Sequence, residues 1–261
     1  MEIWVTDRIR VMLLLVACAL PSSLELLIPL FRYRAGRIRR AVPNLLLSAG
    51  VLIGNLVLAS VTAALCAIVT RWHFGLLGRA HLASWALLVL GVMGLDFFAY
   101  VAHVLLHKVP LGWRFHRVHH SEPEVDVTTA FRQHPGETLW RFMMQCVGIV
   151  GFGLPFWVST LYLSVSSLNA LLEHANVRVA ARIDTWLRWV MVTPNMHKIH
   201  HSRVALQTDS NYSNIFSLWD RLFDTYTKHV NVGQLRYGLD GFDESPKQTA
   251  AALMAEPFRS T

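Results

Sequence analysis

Long apolar runs alternate with short polar segments along the amino-terminal part of the chain. About 20 apolar residues are needed to cross the ~30 Å hydrocarbon core of a bilayer. The pattern predicts three membrane helices of about this length or longer, at about residues 11–31, 42–70 and 82–106. The first run resembles a signal segment, because two arginines precede Val11. The apolar pattern resumes at Leu26, however, which favours a retained helix.

Charge distribution predicts how these helices are oriented. Arginine is concentrated between the first two runs, and this basic loop should be cytoplasmic, with residues 71–81 on the other side. The five arginines are Arg32, Arg34, Arg37, Arg39 and Arg40. Charged residues make up 16% of the chain, against about 25% in typical soluble proteins. The net charge of +7 lies beside apolar spans, which indicates anionic lipid and not nucleic acid as the basic loop's partner.

Histidines are concentrated after the third run, at spacings that suit metal ligands. Ten of the thirteen fall in one His-x-x-x-His motif, two His-x-x-His-His motifs and two further positions. Residues three and four apart share one helix face, so these motifs can aim several imidazoles at one point. Imidazole is the commonest protein ligand of iron, zinc and copper. The predicted ligands are His103, His107, His116, His119, His120, His134, His174, His197, His200 and His201.

Carboxylates are almost absent from these motifs, so the predicted site is rich in histidine. Ten ligands shared by two metals would give five each and leave one octahedral position open on each metal. That number favours a catalytic centre over a structural zinc site, which takes four ligands. Asp96 lies two turns before His103 on roughly the same face, and it is a candidate hydrogen-bond partner of a ligand histidine.

The apolar run at residues 139–172 predicts a helical hairpin. A single crossing would place His174 on the opposite side from the other histidines, and the run is too short for two full crossings and a turn. Gly151, Gly153 and Pro155 provide a break near its middle. We therefore expect the run to enter the membrane and return to the cytoplasmic side. Its large residues, with Phe156, Trp157 and Tyr162 as candidates, would line a lipid channel below the metals.

Residues 183–191 follow an amphipathic helical pattern. Apolar side chains recur at helical spacing from Ile183 to Met191, and polar ones lie opposite. The pattern is typical of a helix on the membrane surface with its tryptophans at headgroup depth. A helix that packs its apolar face on a cytoplasmic core is the alternative.

The histidine motifs, set among hydrophobic segments, resemble those of the fatty acid hydroxylase/sterol desaturase superfamily of membrane di-iron enzymes. The similarity is greatest to its bacterial sterol desaturase members and covers about residues 25 to 255. The matching segments include Asn195-Met-His197-Lys-Ile-His200-His201 and residues 127–135, 172–176, 208–212 and 218–226. The resemblance implies two iron ions, with zinc possible on isolation, and O2 as co-substrate. It also implies residues that orient imidazoles or bind headgroups, although loop and cap hydrogen bonds explain them equally well: Arg132, Asn176, Asp209, Asn211 and Tyr212.

The sequence thus predicts an all-α, multi-pass membrane protein with about three transmembrane helices, the hairpin and a histidine-rich cytoplasmic cap. Residues 1–81 would form the amino-terminal membrane part, 82–240 the catalytic domain and 241–261 a tail. The expected activity is O2-dependent hydroxylation or desaturation of a fatty acyl, sterol-like or other lipid. The alternative is a non-catalytic zinc protein of the membrane. A separate ferredoxin- or cytochrome-type protein with its reductase would donate electrons, and a bacterial source would imply the inner membrane.

Overall fold

The computed structural model describes residues 19–33, 36–228 and 230–259. Within these ranges the regular elements are helices and 3-10 turns, and extended segments meet only at isolated β-bridges. The predicted all-α class is therefore confirmed for the described residues. Residues 11–18 of the first predicted membrane helix lie outside this part of the chain. Of its remaining residues, 19–27 are helical and 28–31 are not, so the helix ends earlier than predicted.

Five of the described helices have eleven residues or more and build the frame of this part of the molecule. They are α1 (Arg37–Arg71), α2 (Ser84–Lys108), α3 (Pro110–His120), α4 (Pro135–Phe152) and α5 (Phe156–His174). Shorter helices follow: α6 (Ala181–Leu187), α7 (Pro194–His200), α8 (Ala205–Thr208), α9 (Leu218–Leu222) and α10 (Ala250–Ala255). A 3-10 turn at Val127–Phe131 joins α3 to α4. Helix α4 packs on α1 and α2, whereas α5 packs on α2, α7 and this turn.

Two of the described helices are long and apolar enough to cross a membrane. The qualifying stretches are Gly54–Arg71 in α1 and Ser84–Lys108 in α2. Large apolar side chains of α1 point outward, including Leu52, Leu56 and Val57, which are 63%, 68% and 64% exposed. Such a surface is unfavourable in water and favourable against lipid.

The predicted break between α4 and α5 is present. Helix α4 ends at Phe152, Gly153 adopts a left-handed conformation with φ of 70°, and Pro155 precedes the first residue of α5. The turn packs on the loop that follows α1, where the Leu76 and Leu77 amides donate to the carbonyl oxygens of Gly151 and Phe152, each at 2.9 Å. The hairpin therefore reaches as far as the end of α1.

The arginine-rich end of α1 lies at the opposite end of the bundle, beside the histidines. Arg40 donates to Asp126 at 2.6 Å and to Glu124 at 3.2 Å, next to the 3-10 turn. Glu25 pairs with Arg37 at 2.6 Å and also accepts the Val127 amide at 2.6 Å. These buried pairs fix the amino-terminal segment to the histidine-rich end of the bundle.

Helix α6 has its apolar side facing outward. Ile183 and Trp186 are 57% and 74% exposed, whereas Asp184 is buried and accepts from Arg188 and from Thr193 Oγ1. The helix ends at Leu187, earlier than the pattern predicted. Asp184 and Arg188 are buried, whereas Arg182 and Thr185 are exposed together with the apolar side chains. Helix α6 therefore does not pack its apolar side on the core, as the core-facing alternative required, and this exposure is compatible with a membrane surface.

Candidate metal centre

Nine of the ten predicted histidine ligands converge in two adjacent groups. In each group, one ring nitrogen of every histidine lies within 4.8 Å of those of the others. The five-histidine group consists of His103, His107, His116, His120 and His200. The four-histidine group consists of His119, His174, His197 and His201. The groups touch, since the rings of His120 and His201 stack with centroids 4.5 Å apart.

Helical periodicity explains which histidines meet. His103 and His107 project from the end of α2, and His116 and His120 project from α3, each pair four residues apart. His197 and His201 form a third such pair at α7 and its carboxyl cap. The middle histidine of each His-x-x-His-His motif points elsewhere and joins the other group, so both motifs serve both groups.

Oxygen atoms fix the tautomers of most of these imidazoles. A carbonyl oxygen can only accept, so an Nδ1 atom that contacts one carries the proton. This holds for His103, His174 and His200, whose Nδ1 atoms lie 2.7, 2.7 and 2.8 Å from the carbonyl oxygens of Tyr212, Ala170 and Ser210. His119 Nδ1 contacts the Arg132 carbonyl at 3.3 Å. His107 Nδ1 donates to Asp209 at 3.3 Å, and His116 Nδ1 lies 3.0 Å from Glu137 Oε1.

The Nε2 atoms of histidines whose Nδ1 atoms bond to carbonyl oxygens consequently carry lone pairs. Two such atoms oppose each other at His119 and His174, 3.1 Å apart. Two lone pairs at this distance repel each other unless a cation lies between them. His107 Nε2 and His200 Nε2 are buried, with no hydrogen-bond partner among the described residues. The donor set therefore fits metal ions.

Burial keeps the imidazoles neutral, as metal binding requires. Loss of water lowers the pKa of His119, His120 and His197 well below the ordinary value of 6.5, and neighbouring histidines lower it further. The same causes act on the pKa of His200 and His201. At neutral pH these side chains are ready to bind a cation without first releasing a proton.

His134 is the predicted ligand that lies outside both groups. It caps α4, because its Nδ1 accepts from the Gly136 amide at 3.0 Å and its Nε2 donates to the Met254 carbonyl at 3.2 Å. Its ring stacks on Phe115, with the ring centroids 5.0 Å apart. Both nitrogens are thus hydrogen-bonded away from the two groups, and the ligand role of His134 stays a prediction.

The six residues predicted to support the ligands fall into two sets. Arg132, Asp209 and Tyr212 each accept a hydrogen bond from a cluster histidine. Asp96 instead accepts from the Ile215 and Phe216 amides at 3.0 Å and from Trp219, and so holds the segment after Tyr212. Asn176 pairs with Phe31 of the amino-terminal segment, and Asn211 bonds to Met196 and Thr227.

A cavity of about 190 Å³ lies against the histidines, between α2, α4 and α5. His103 of the five-histidine group and His119, His174 and His197 of the other group line it. Tyr162 lines it as predicted for the channel, but Phe156 and Trp157 do not. These two side chains lie near the hairpin turn and are 48% and 45% exposed. Packed core residues fill the space between them and the cavity.

Sequence reasoning missed several polar residues of this cavity. Arg141, Gln145 and Glu173 line it, and Glu137 pairs with Arg141 at 2.8 Å. The available signal was polar side chains four residues apart, at 141 and 145, in an otherwise apolar run. Polar groups inside a membrane-facing segment are costly and indicate function.

The chain is similar in sequence to known proteins over the region that contains the histidine groups. The sequence profile described as fatty acid hydroxylase matches residues 88–225. The chain is 29% identical to the ornithine lipid hydroxylase OlsE of Rhizobium tropici, over 65% of this chain and 50% of that protein. It is 30% identical to alkylglycerol monooxygenase of Xenopus tropicalis, over 60% of this chain and 33% of that protein. The matches thus span a third to a half of these relatives' lengths, and no solved structure matches the chain.

The helical frame, the two histidine groups and the profile match together place the chain in a known class. It belongs to the fatty acid hydroxylase family. The relatives named above are lipid hydroxylases and monooxygenases by name, so the family includes enzymes of the oxidoreductase type.

Proposed function

We propose that the chain is an O2-dependent di-iron oxygenase that hydroxylates or desaturates a lipid. The observation that carries the proposal is the convergence of nine imidazoles in two adjacent groups, with the Nε2 lone pairs of His119 and His174 opposed. Two iron ions held there would supply the O2 activation that oxidation of a C–H bond requires. The names of the relatives, ornithine lipid hydroxylase and alkylglycerol monooxygenase, support a lipid as the substrate.

The number of ligands favours iron over structural zinc. The five-histidine group has one ligand more than a closed tetrahedral zinc site uses. On octahedral ions, groups of five and four histidines would leave one and two positions open for O2.

The residues of the chain orient the centre and shape access to it. Oxygen atoms bonded to Nδ1 fix five of the nine rings, and such partners also raise the basicity of the ligand. Both groups are enclosed by the protein except where the cavity meets His103, His119, His174 and His197. A lipid in this cavity would therefore present its reacting carbon to the two groups from the membrane side.

The proposed placement puts the histidine-rich end in the cytoplasm and the hairpin turn near the far side of the membrane. Helices α1 and α2 would cross the bilayer, the α4–α5 hairpin would lie within it, and α6 would rest on its surface. In this proposal, residues 1–81 form the amino-terminal membrane part, residues 82–240 the catalytic domain and residues 241–261 a tail. A separate ferredoxin- or cytochrome-type protein would deliver electrons at the cytoplasmic side. In a bacterium this would be the cytoplasmic face of the inner membrane.

Isotope labelling tests the proposal. Membranes that contain the protein are supplied with NAD(P)H, an electron-donor system and ¹⁸O-labelled O2, and their lipids are analysed by mass spectrometry. We expect lipids that gain one labelled oxygen or lose two hydrogens, with matching O2 consumption, and neither change in a His200→Ala variant. Bound zinc without O2 consumption or altered lipids would instead support the non-catalytic metal protein.

A further inference from the structure

The cavity beside the histidines has a polar wall, unlike a channel for an acyl chain. Arg141 and Gln145 of α4 line it together with Ser166 of α5 and Asn214. Asn214 donates to Ser166 at 2.8 Å, but hydrocarbon in the cavity would leave the Gln145 amide without a hydrogen bond and the Arg141 guanidinium with only its bond to Glu137. The cavity is therefore built for a polar part of its ligand.

The deep end of the cavity is closed. Leu95 and Tyr162 form its floor and belong to a packed core with Ile149, Leu154 and Val158, all of which are buried. Leu95 precedes His103 by eight residues of α2, which corresponds to about 12 Å along the helix. A long acyl chain cannot pass further toward the hairpin turn.

The cavity opens laterally instead. Leu163 and Ser167 both line it and lie on the exposed surface of α5. These exposed lining residues mark the mouth of the cavity. The mouth opens to the same environment as the exposed apolar side chains of α5, such as Leu161 and Leu168. A lipid can enter here with its tails remaining outside.

Arg141 is the cationic side chain among the described residues that line the cavity, and Glu173, the acidic one, accepts from the Asn169 amide at 3.1 Å. Its Nε donates to Glu137 at 2.8 Å, which leaves Nη1 and Nη2 without a hydrogen-bond partner among the described residues. A guanidinium fork of this kind suits the paired oxygens of a phosphate or carboxylate. Gln145 Nε2 is a second donor, since it is buried and also lacks a partner within the described part of the chain.

We propose that this cavity binds the anionic polar part of a lipid, with Arg141 and Gln145 as the residues that determine specificity. The lipid enters between α4 and α5, its phosphate or carboxylate binds Arg141, and its tails stay in the bilayer. The carbon nearest the histidines then belongs to the headgroup or the linkage region and not to the middle of a chain. This inference rests on the proposed lipid oxygenase, whose substrate class it specifies.

Binding of short lipids tests the proposal without turnover. The metal-loaded protein in a neutral detergent is titrated with dihexanoyl phosphatidate, dihexanoylglycerol and inorganic phosphate, and heat is measured. We expect phosphatidate to bind at least about tenfold more tightly than either other probe, because only it combines the charge with a lipid backbone. Arg141→Gln should remove most of this preference, whereas Arg141→Lys should keep part of it. Phe156→Ala, at the hairpin turn, should keep all of it.

Three outcomes would overturn the proposal: equal binding of phosphatidate and dihexanoylglycerol, equal binding of inorganic phosphate, or an unchanged preference in Arg141→Gln. Because Arg141 contacts Glu137 beside His116, bound metal is measured in each variant. If Arg141→Gln loses metal, Gln145→Leu replaces it as the test, because Gln145 bonds to no histidine. This variant should weaken phosphatidate binding about five- to tenfold. Normal binding by Gln145→Leu would then contradict the proposal.

The position of the new oxygen separates this inference from the function on which it rests. Fragmentation of the labelled product should place the oxygen in the headgroup or linkage region. An oxygen deep in an acyl chain would contradict the anionic-headgroup assignment and leave the lipid oxygenase intact. Selective phosphatidate binding without any oxygenation would contradict the oxygenase and leave the binding site intact.

Discussion

His119 and His174 approach within 3.1 Å through their Nε2 atoms, although 55 residues separate them in the chain. His119 lies near the end of α3, and His174 is the last residue of α5. The contact therefore depends on the hairpin, which carries the chain to the far end of the bundle and back. It also places two proton-free nitrogens in opposition, which makes this pair a direct indicator of a cation site.

The first prediction concerns the ligands. His119→Ala and His200→Ala each remove one nitrogen from a different group, so each should lower bound metal and reduce activity by at least about 100-fold. Metal analysis and O2 consumption measure both effects. The control is His73→Asn, in an exposed loop with φ of 46°, a conformation that asparagine tolerates. His134→Ala should likewise keep its metal, and loss of metal in this variant would return His134 to the ligand set.

A second prediction concerns Asp209, which accepts hydrogen bonds from His107 at 3.3 Å and from Lys108 at 2.8 Å. The hydrogen bond from His107 and the nearby charge of Lys108 hold the pKa of Asp209 below its usual range, so it is ionised at neutral pH. Asp209→Ala should weaken metal binding by the five-histidine group about 10- to 100-fold, as measured by chelator competition. Lys108→Met is the matched control, since it breaks the ion pair and keeps the histidine contact. Equal metal affinity in both variants would remove Asp209 from the centre.

Membrane orientation gives a third prediction. Single cysteines are introduced at Gly36, whose side-chain position is open, at the exposed Leu206 and at the exposed Arg79, in a chain without its native cysteines. A membrane-impermeant maleimide added to intact cells should label position 79 and spare 36 and 206. Labelling of 79 and 206 from the same side would disprove the proposed orientation.

The hairpin turn gives a fourth prediction. Gly153 has a φ of 70°, and a Cβ atom there would collide with the Phe74 carbonyl oxygen. Gly153→Ala should therefore destabilise the protein by at least about 2 kcal/mol and lower its melting temperature in detergent. Gly151→Ala is two residues away, inside α4, where an added Cβ meets nothing within 4 Å. It should leave stability unchanged or raise it, and similar losses in both variants would argue against this turn.

Much of the metal centre could be predicted from the spacing of the histidines alone. The pairs four residues apart in α2, α3 and α7 had to share a face, and His174 required the hairpin. The division of the nine histidines into groups of five and four could not be predicted in this way, because it depends on how α3, α5 and α7 are placed around one another. The position of His134 outside both groups has a local signal that ligand spacing outweighed, because this histidine directly precedes Pro135 at the start of a helix.

Long-range hydrogen bonds explain the other differences. Asp96 was expected to orient a histidine, yet its carboxylate accepts amides 119 and 120 residues further along the chain. Nothing in the local sequence specifies that partner. The polar wall of the cavity was more accessible to prediction, since Arg141 and Gln145 interrupt an apolar run at the spacing of one helix turn.

Metal content, combined with X-ray absorption, tests the central claim most directly. The protein is purified anaerobically from cells supplied with both iron and zinc, and metals are counted per chain. The two-group centre predicts about two iron ions per chain, each surrounded mainly by nitrogen at about 2.1 to 2.2 Å and with more than four ligands. A single zinc ion per chain with four nitrogen ligands, unchanged by the iron supply, would contradict it.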